Sequence, residues 1–445
     1  MRNPPRLVRA VLLTGAFALL LPIGAPRQAS AGAPEAPPAP LDVGDEIAGF
    51  YRDRSFAPLW VTGSALRPEA GQLLAMLDAA GRDDPHLREA VAAARSGDPH
   101  RLTRADLLLS RAYTDYVRAH HRAPERNAMR YIDPGIAPEA PRDRGALEAA
   151  AAAPSLSAHL DAVERINPVF DGLTRALAGF RGDPARRRQI EANIERARAI
   201  PAHANGRYIL VDTASARLWM VEHGRIVDAM RVIVGKRAMP TPAMAGLIRY
   251  ASLNPYWNLP PDLIRERARG GARVIARERL QVLSDWSPHA RRLDPRRVDW
   301  RAVAAGRRLV NLRQTPGPHN MMGRIKFMMP NHLGIYLHDT PHRELFRPAD
   351  RHFSSGCVRL EDAGRLERWL FNGRAPRPSG APEQRVDLPE AVPVYIAYFT
   401  ALPTHGGVVF QPDVYRRDVR ATAPRREARA RRAAPEASRA RRGRG

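Results

Sequence analysis

The spacing of apolar residues changes near residue 205, and this change constrains the fold more than any other feature. Before it, segments such as VGDEIAGFYRD (43–53), PEAGQLLAMLDAAG (68–81) and LTRADLLLSRAYTDYVRAHH (102–121) repeat apolar side chains every three or four residues. That period predicts amphipathic helices. ALEAAAAAPSLSAHLDAVERI (146–166) and ARRRQIEANIERARAI (185–200) continue the pattern, with Ile190, Ile194, Ala197 and Ile200 on one face. Residues 125–143, rich in Pro and Arg, read as a connecting loop. After it come β-rich runs: RYILVD, ARLWMVE, GRIVDAMRVIVG, RIKFMMP, LGIYLHD and AVPVYIAYFTAL. His223-Gly224 is a plausible hairpin turn between two of them, and His405-Gly406-Gly407 is another turn. The expected fold class is α+β: an all-α domain over 42–200, then a mainly β domain of antiparallel sheets over 205–412. Inside the β domain, 260–318 is an Arg-rich, partly helical insertion, the kind of excursion that serves as a lid. No repeat of fixed period is evident.

The N-terminus predicts export. Arg2, Arg6 and Arg9 precede an apolar run at 10–25, and Ala29-Ser30-Ala31 is a small-x-small cleavage site, so 1–31 reads as a signal peptide. A Pro/Ala linker follows at 32–41. No later segment reaches the roughly 20 apolar residues of a membrane span. The net charge is +25, but only Lys236 and Lys326 are lysines. That Arg skew, with abundant Ala and Pro, reflects composition more than a nucleic-acid role, and no nucleic-acid partner is expected. The stretch 413–445 reads as an Arg-rich disordered tail; it could touch an anionic envelope surface, although a solvated tail is the simpler reading.

Export sharpens the meaning of Cys357, the one cysteine of 445 residues. A lone thiol in an exported chain is either a small buried hydrophobe or a reactive group, and the count alone leaves these level. Its surroundings favour reactivity. In Gly334-Ile335-Tyr336-Leu337-His338 a strand period of two puts Ile335 and Leu337 toward the core and Tyr336 and His338 on the other face. Cys357 follows Ser355-Gly356, a turn that glycine allows, and precedes VRLEDAGRLERWLF, which reads as an amphipathic helix with Glu361 and Asp362 in its first turn. A thiol beside a helix start has a depressed pKa. Turn N–H groups can serve as an oxyanion hole, and Arg359 adds a positive charge. A thiolate, an imidazole and main-chain donors are the parts of a cysteine acyltransferase. Papain-like enzymes place Cys before His and carry another local motif, absent here.

The spacing H-x18-C with Ser-Ser-Gly-Cys-Val-Arg, preceded by Ile-Tyr-Leu-His-Asp-Thr-Pro, resembles the L,D-transpeptidases of the YkuD fold, in particular the YcbB-like periplasmic branch. MRVIVGK (230–236), NPYWNLPP (254–261) and QTPGPHNMMGRIKF (314–327) extend the resemblance, and IAGFYRDRSFAPLWV (47–61) is similar to the branch's helical scaffold. The resemblance implies Cys357 as nucleophile and His338 as general base and acid. It implies Ser355 and Gly356 for the turn and oxyanion donors, and Arg359, Tyr336 and Trp257 for substrate. It also implies a periplasmic location, peptidoglycan stem peptides as donor and acceptor, with water, a protein lysine or a free D-amino acid as alternative acceptors, and acylation by carbapenems; no cofactor or metal is expected. The chain departs from the family in having Ser355 where many relatives carry His, and no peptidoglycan-binding repeat is recognisable between 125 and 190. For each residue a plainer reading stands alongside. Trp257 could be core, although its Pro-rich flanks suggest an exposed loop. Arg359 could be a surface charge and Tyr336 a half-buried strand aromatic. His352, His342, His332 and His319 read as surface or supporting histidines, and their spacing does not suit zinc. A non-catalytic wall-binding scaffold is the rival of another class.

Overall fold

Capping residues and apolar stripes define the helices where the sequence places them. A computed structural model describes residues 43–124, 129–202, 206–287 and 289–418, so the expected signal peptide and linker and everything from 419 onward lie outside the described residues. The first six helices are α1 (Asp45–Asp53), α2 (Pro68–Ala79), α3 (Pro85–Ala94), α4 (Pro99–His120), α5 (Asp143–Ala152) and α6 (Leu156–Val163). Proline occupies the first turn of α2, α3 and α4, where its missing N–H costs nothing. Asp84, Asp98 and Ser155 cap α3, α4 and α6 by accepting from main-chain N–H groups. These helices share one core containing Phe50, Trp60, Leu73, Leu109, Tyr113, Leu147 and Leu160.

One buried carboxyl ties that core together. Asp106, on α4, accepts from the main-chain N–H of Leu59 (3.1 Å) and Trp60 (2.6 Å) and from the Tyr51 hydroxyl. Ser110, one turn on, bonds the Tyr51 hydroxyl (2.7 Å) and the Trp60 indole N–H (2.9 Å). Burial pushes the Asp106 pKa up, and the donors around it oppose that shift.

Two further helices, α7 (Pro168–Gly179) and α8 (Pro184–Ala197), belong to a different core. Phe170, Leu173 and Ile190 pack with Tyr208, Leu210, Tyr395 and Phe399 of the β domain. The helical region expected as one unit is therefore two packing groups.

The β domain is built on eight strands: β1 (Arg207–Asp212), β2 (Arg217–Glu222), β3 (Arg225–Gly235), β4 (Met244–Leu253), β5 (Ile325–Met328), β6 (Leu337–His338), β7 (Val358–Leu360) and β8 (Gln384–Ala397). Their order is β5-β6-β7-β3-β2-β1-β8-β4, and β4 also pairs with β5, so the sheet closes on itself. All of these pairings are antiparallel except β6 with β7 and β1 with β8. Closure removes exposed edges. The enclosed core holds Ile209, Val211, Leu218, Val232, Phe327, Leu337, Val358 and Leu360.

Three expectations are corrected here. Arg130 and Tyr131, in the expected connecting loop, form a two-residue strand that pairs in parallel with the start of β4. The strand expected over 334–338 shrinks to Leu337–His338, because the Asn331 side chain bonds the main chain of Leu333 and Ile335 and holds them in a turn. Residues 413–418 of the expected tail are tied down through Asp418, which pairs with Arg196 of α8 at 2.8 Å; the rest of it lies outside the described residues.

The insertion is a small layer with its own core. It contains α9 (Pro261–Ala268), α10 (Gly271–Arg277) and α11 (Trp300–Ala304), and a four-stranded sheet of Leu280–Leu283, Arg292–Leu293, Asn311–Gln314 and Trp257–Asn258. Trp257 is 7% exposed in this core, with Leu263, Ile275, Trp300 and Leu312. Its ring is therefore not part of an exposed groove; pairing of Trp257 with Gln314 draws it into the sheet.

Replacing Asp106 with Ala leaves two main-chain donors and the Tyr51 hydroxyl without their acceptor. The expected loss is about 3 kcal/mol in chemical denaturation, with the β domain's fold retained. A loss below about 1 kcal/mol would show that the carboxyl is not the tie.

Candidate active site

Parallel pairing of β6 with β7 builds the site. Leu337 lies opposite Val358 and His338 opposite Arg359. Leu337, Val358 and Leu360 are fully buried in the core. With a side-chain period of two, Tyr336, His338, Cys357 and Arg359 therefore share the opposite face. Val358 N–H donates to Tyr336 O at 3.1 Å, which continues the register to the Tyr336/Cys357 level. The cross-strand row extends to Lys326 of β5, which lies opposite His338 on its other side. The insertion covers this face, for Tyr336 packs against the insertion's core.

Cys357 does not stand at a helix start. Val358–Leu360 is a strand, and α12 (Ala363–Leu370) begins only after Asp362, whose side chain caps it. Glu361 is not in the first turn either; it pairs with Arg231 of β3. Helix-dipole activation of the thiol is thus overturned. The thiol is partly accessible, and its Sγ lies 3.5 Å from Gly334 O. Burial pushes its pKa up, opposed by Tyr336 and by the charge of Arg359.

His338 is 2% exposed. Its Nδ1 is 2.5 Å from the main-chain oxygen of Asp339. A carbonyl only accepts, so Nδ1 carries the proton and Nε2 keeps a free lone pair. Burial, with the positive charges of Arg359 and Lys326, holds its pKa down at about 3. At neutral pH both members of the pair are uncharged, and the imidazole is in its proton-accepting form. Asp339 is itself fixed: its carboxylate pairs with Arg343 and accepts the Arg324 N–H at 3.0 Å, and its N–H reaches Ile325 O at 2.9 Å. Asp339 and Arg343 were not singled out from sequence; the Asp directly after His in LHDTP was the available signal.

The turn before Cys357 is held on all sides. Gly356 has φ +122°, and a Cβ there would meet Ile335 Cδ1 at 3.1 Å. Ser354 Oγ donates to Cys357 O at 2.6 Å and accepts from Gly356 N–H at 3.1 Å. The Gly356 N–H is thus already engaged, and Ser354, beside the expected Ser355, does the fastening. Thr241 Oγ1 donates to Gly356 O at 2.7 Å. Among the described residues, the N–H groups of Ser355 and Cys357 find no acceptor.

Arg359 is the open cation of the site. Its Nε is buried without a hydrogen-bond partner, and among the described residues it forms no ion pair. Lys326, by contrast, pairs with Glu383 at 3.0 Å, which also accepts from Ser252 Oγ and Tyr256 N–H. Tyr336 stands edge-on to the His338 ring at 6.0 Å, and burial, with the neighbouring thiol, pushes its hydroxyl pKa up. His352 is not at this site and is not a free surface residue; it bonds Asp350 and Thr213 O and lies in a short strand beside β3. His319 and His332 are exposed. No group of three His, Cys, Asp or Glu among the described residues could hold a metal ion.

A thiol, a proton-accepting imidazole and unengaged turn N–H groups on one sheet face are the equipment of a cysteine acyl-transfer site. Sequence comparison identifies two domains. Residues 206–386 match the YkuD model, the L,D-transpeptidase catalytic domain, and residues 45–177 match the Scaffold domain. The chain carries a YkuD L,D-transpeptidase catalytic domain behind a helical Scaffold domain. It is 31% identical over 243 residues to a Haemophilus influenzae protein named "Putative L,D-transpeptidase", a match covering 51% of this chain and 47% of that one. The chain thus spans about half the length of that relative. Among solved structures, an L,D-transpeptidase from Mycobacterium smegmatis is 12% identical over 43% of this chain and 58% of its own, with a TM-score of 0.21. The catalytic domain of an E. faecium L,D-transpeptidase is 13% identical over 44% and 98%, with a TM-score of 0.23. Superpositions that loose add nothing to the assignment.

The raised thiol pKa is testable by alkylation. The rate of Cys357 alkylation by iodoacetamide should rise with pH to a midpoint above the roughly 8.5 of a free cysteine, with no inflection near pH 6.5 from His338. Arg359→Gln removes a charge that favours the thiolate, so alkylation at pH 8 should slow roughly three- to tenfold. A faster reaction in that variant would contradict the assigned electrostatics.

Proposed function

We propose that this protein is a peptidoglycan L,D-transpeptidase that forms 3→3 cross-links through a Cys357 thioester. The observation that carries the reading is the sharing of one sheet face by Cys357, proton-accepting His338 and unpartnered Arg359, inside the matched domain. The Cys357 sulfur attacks the carbonyl joining meso-diaminopimelate to the terminal D-Ala of a tetrapeptide stem, and its proton passes to His338 Nε2. The charge that develops on the carbonyl oxygen is met by the N–H groups of Ser355 and Cys357. His338 then protonates the departing amine, the C–N bond breaks, and D-Ala leaves. In the second half, the side-chain amine of another stem's diaminopimelate loses its proton to His338 and attacks the thioester, and the thiol is regenerated.

Arg359 supplies a charge partner for a substrate carboxylate, with which the stem peptides are well provided. Tyr336, packed against the insertion beside the His338 ring, lines the substrate groove. Gly356 shapes the turn. Trp257 acts by packing the insertion rather than by touching substrate. The same thiol is the expected point of attack for carbapenems. We place the reaction in the periplasm, reached by the signal peptide read in residues 1–31; no helix among the described residues is long and apolar enough to cross a membrane.

The test incubates purified mature protein with disaccharide-tetrapeptides and follows products by mass spectrometry. The expected result is D-Ala release with a cross-linked dimer, both lost by at least about 10³-fold in Cys357→Ala. Release of D-Ala without dimer would reassign the acceptor to water and make the protein an L,D-carboxypeptidase. No release, or release that survives the substitution, would overturn the acyl-enzyme reading.

A further inference from the structure

The last described residues, 411–418, lie beyond the part of the chain that matches the catalytic family, yet they reach the back of the nucleophile turn. Asp413 organises them: its carboxylate accepts from the Tyr398 hydroxyl (2.7 Å) and from the N–H groups of Arg417 (2.8 Å) and Asp418 (2.9 Å). The Tyr415 ring stacks on Tyr398 at 5.2 Å, and the Arg417 guanidinium lies 5.1 Å from both ring centres. Asp418 pairs with Arg196 and accepts from Thr400 Oγ1, which anchors the segment to α8.

Two hydrogen bonds leave this strap for the active site. The Tyr415 hydroxyl donates to Gly235 O at 2.5 Å, and Arg417 Nη2 donates to Thr241 O at 3.2 Å. What the first of them holds follows from peptide planarity, and the second acts through Thr241 itself, whose main-chain O it holds. In a trans peptide, the carbonyl of one residue and the N–H of the next point in opposite directions. Gly235 O and the Lys236 N–H therefore turn together, and the Lys236 N–H donates to Ser354 O at 2.8 Å. Ser354 O in turn shares a peptide plane with the Ser355 N–H. On the second branch, Thr241 Oγ1 donates to Gly356 O, which shares a plane with the Cys357 N–H. The two N–H groups without an acceptor are thus the far ends of two relays that begin at Tyr415 and Arg417. No room is left for slack at Gly235, where a Cβ would meet Met239 O at 2.3 Å and Thr241 N at 2.5 Å.

We propose that Tyr415 and Arg417 are positioning residues that aim the Ser355 and Cys357 N–H groups at the oxyanion of the acyl-transfer step. The proposal rests on the acyl-enzyme reading of Cys357, and a pair of probes separates the two. Acylation by p-nitrophenyl acetate passes through an oxyanion: Sγ bonds to the acetyl carbon, the C–O bond breaks, p-nitrophenolate leaves, and the thiol proton passes through His338 to solvent. Alkylation by iodoacetamide displaces iodide from a saturated carbon and forms no oxyanion. In Tyr415→Phe, which keeps the ring stack and loses only the hydroxyl, acetylation of Cys357 should slow about tenfold through a lower limiting rate, not weaker binding. Alkylation should stay within about twofold over the whole pH profile. Arg417→Ala should behave alike, and Arg417→Gln, which keeps an N–H donor for Thr241 O, should restore most of the rate. Equal slowing of both reactions would assign the strap to general folding, and an unchanged acetylation rate would remove its positioning role. Absence of D-Ala release by the wild-type chain would sink the transpeptidase reading, yet the ratio of the two thiol reactions would still decide the strap.

Discussion

Everything at the candidate site depends on the register between β6 and β7. A parallel pair needs a crossover, and here the crossover is the irregular run from Asp339 to Cys357. Burial of Leu337, Val358 and Leu360 fixes the register, because a shift of one residue would turn Cys357 and Arg359 into the core and expose Val358. The apolar half of each strand thereby orients the chemical half. No bond between His338 and Cys357 is required to bring them to the same face.

The electrostatics follow from that placement. Burial disfavours charge on both the thiol and the imidazole, Arg359 acts on them in opposite senses, and Lys326 adds to its effect on the imidazole. The positive field favours a thiolate and disfavours an imidazolium, so the resting pair stays neutral with the base unprotonated. The Asp339 carbonyl selects the tautomer that leaves Nε2 free, and Arg343 with Arg324 fixes Asp339. The thiol and the imidazole thus rest uncharged beside Arg359, a cation that forms no ion pair among the described residues.

Much of this was legible in the one-dimensional pattern, for reasons that also explain what was not. The alternation in Ile335–His338 separated core-packed Ile335 and Leu337 from Tyr336 and His338, although only Leu337–His338 forms a strand and His338 is buried. Cys357 was expected at a helix start because VRLEDAGRLERWLF has helical spacing; pairing with β3 and β6 holds Val358–Leu360 in a strand, and the helix begins only at Ala363. Trp257 was expected in a groove because prolines flank it; only cross-strand pairing with Gln314 shows that it packs inward. Ser355 was preferred to Ser354 although they are adjacent and chemically identical, since which hydroxyl turns inward depends on the turn's geometry. Arg130–Tyr131 and the strap at 411–418 carry no local signal for their placement, as both dock on partners more than a hundred residues away.

The sequence by itself determined the two-part organisation, the nucleophile and base candidates, and the family resemblance, since periodicity and a spaced motif are local properties. Tertiary structure alone decided that the sheet closes, that the thiol's pKa is raised by burial and not depressed by a helix, and that Arg359 is left without a partner. It also decided that the C-terminal strap reaches the nucleophile turn. Those outcomes depend on desolvation and on hydrogen bonds between distant segments, and both quantities exist only once the chain has packed.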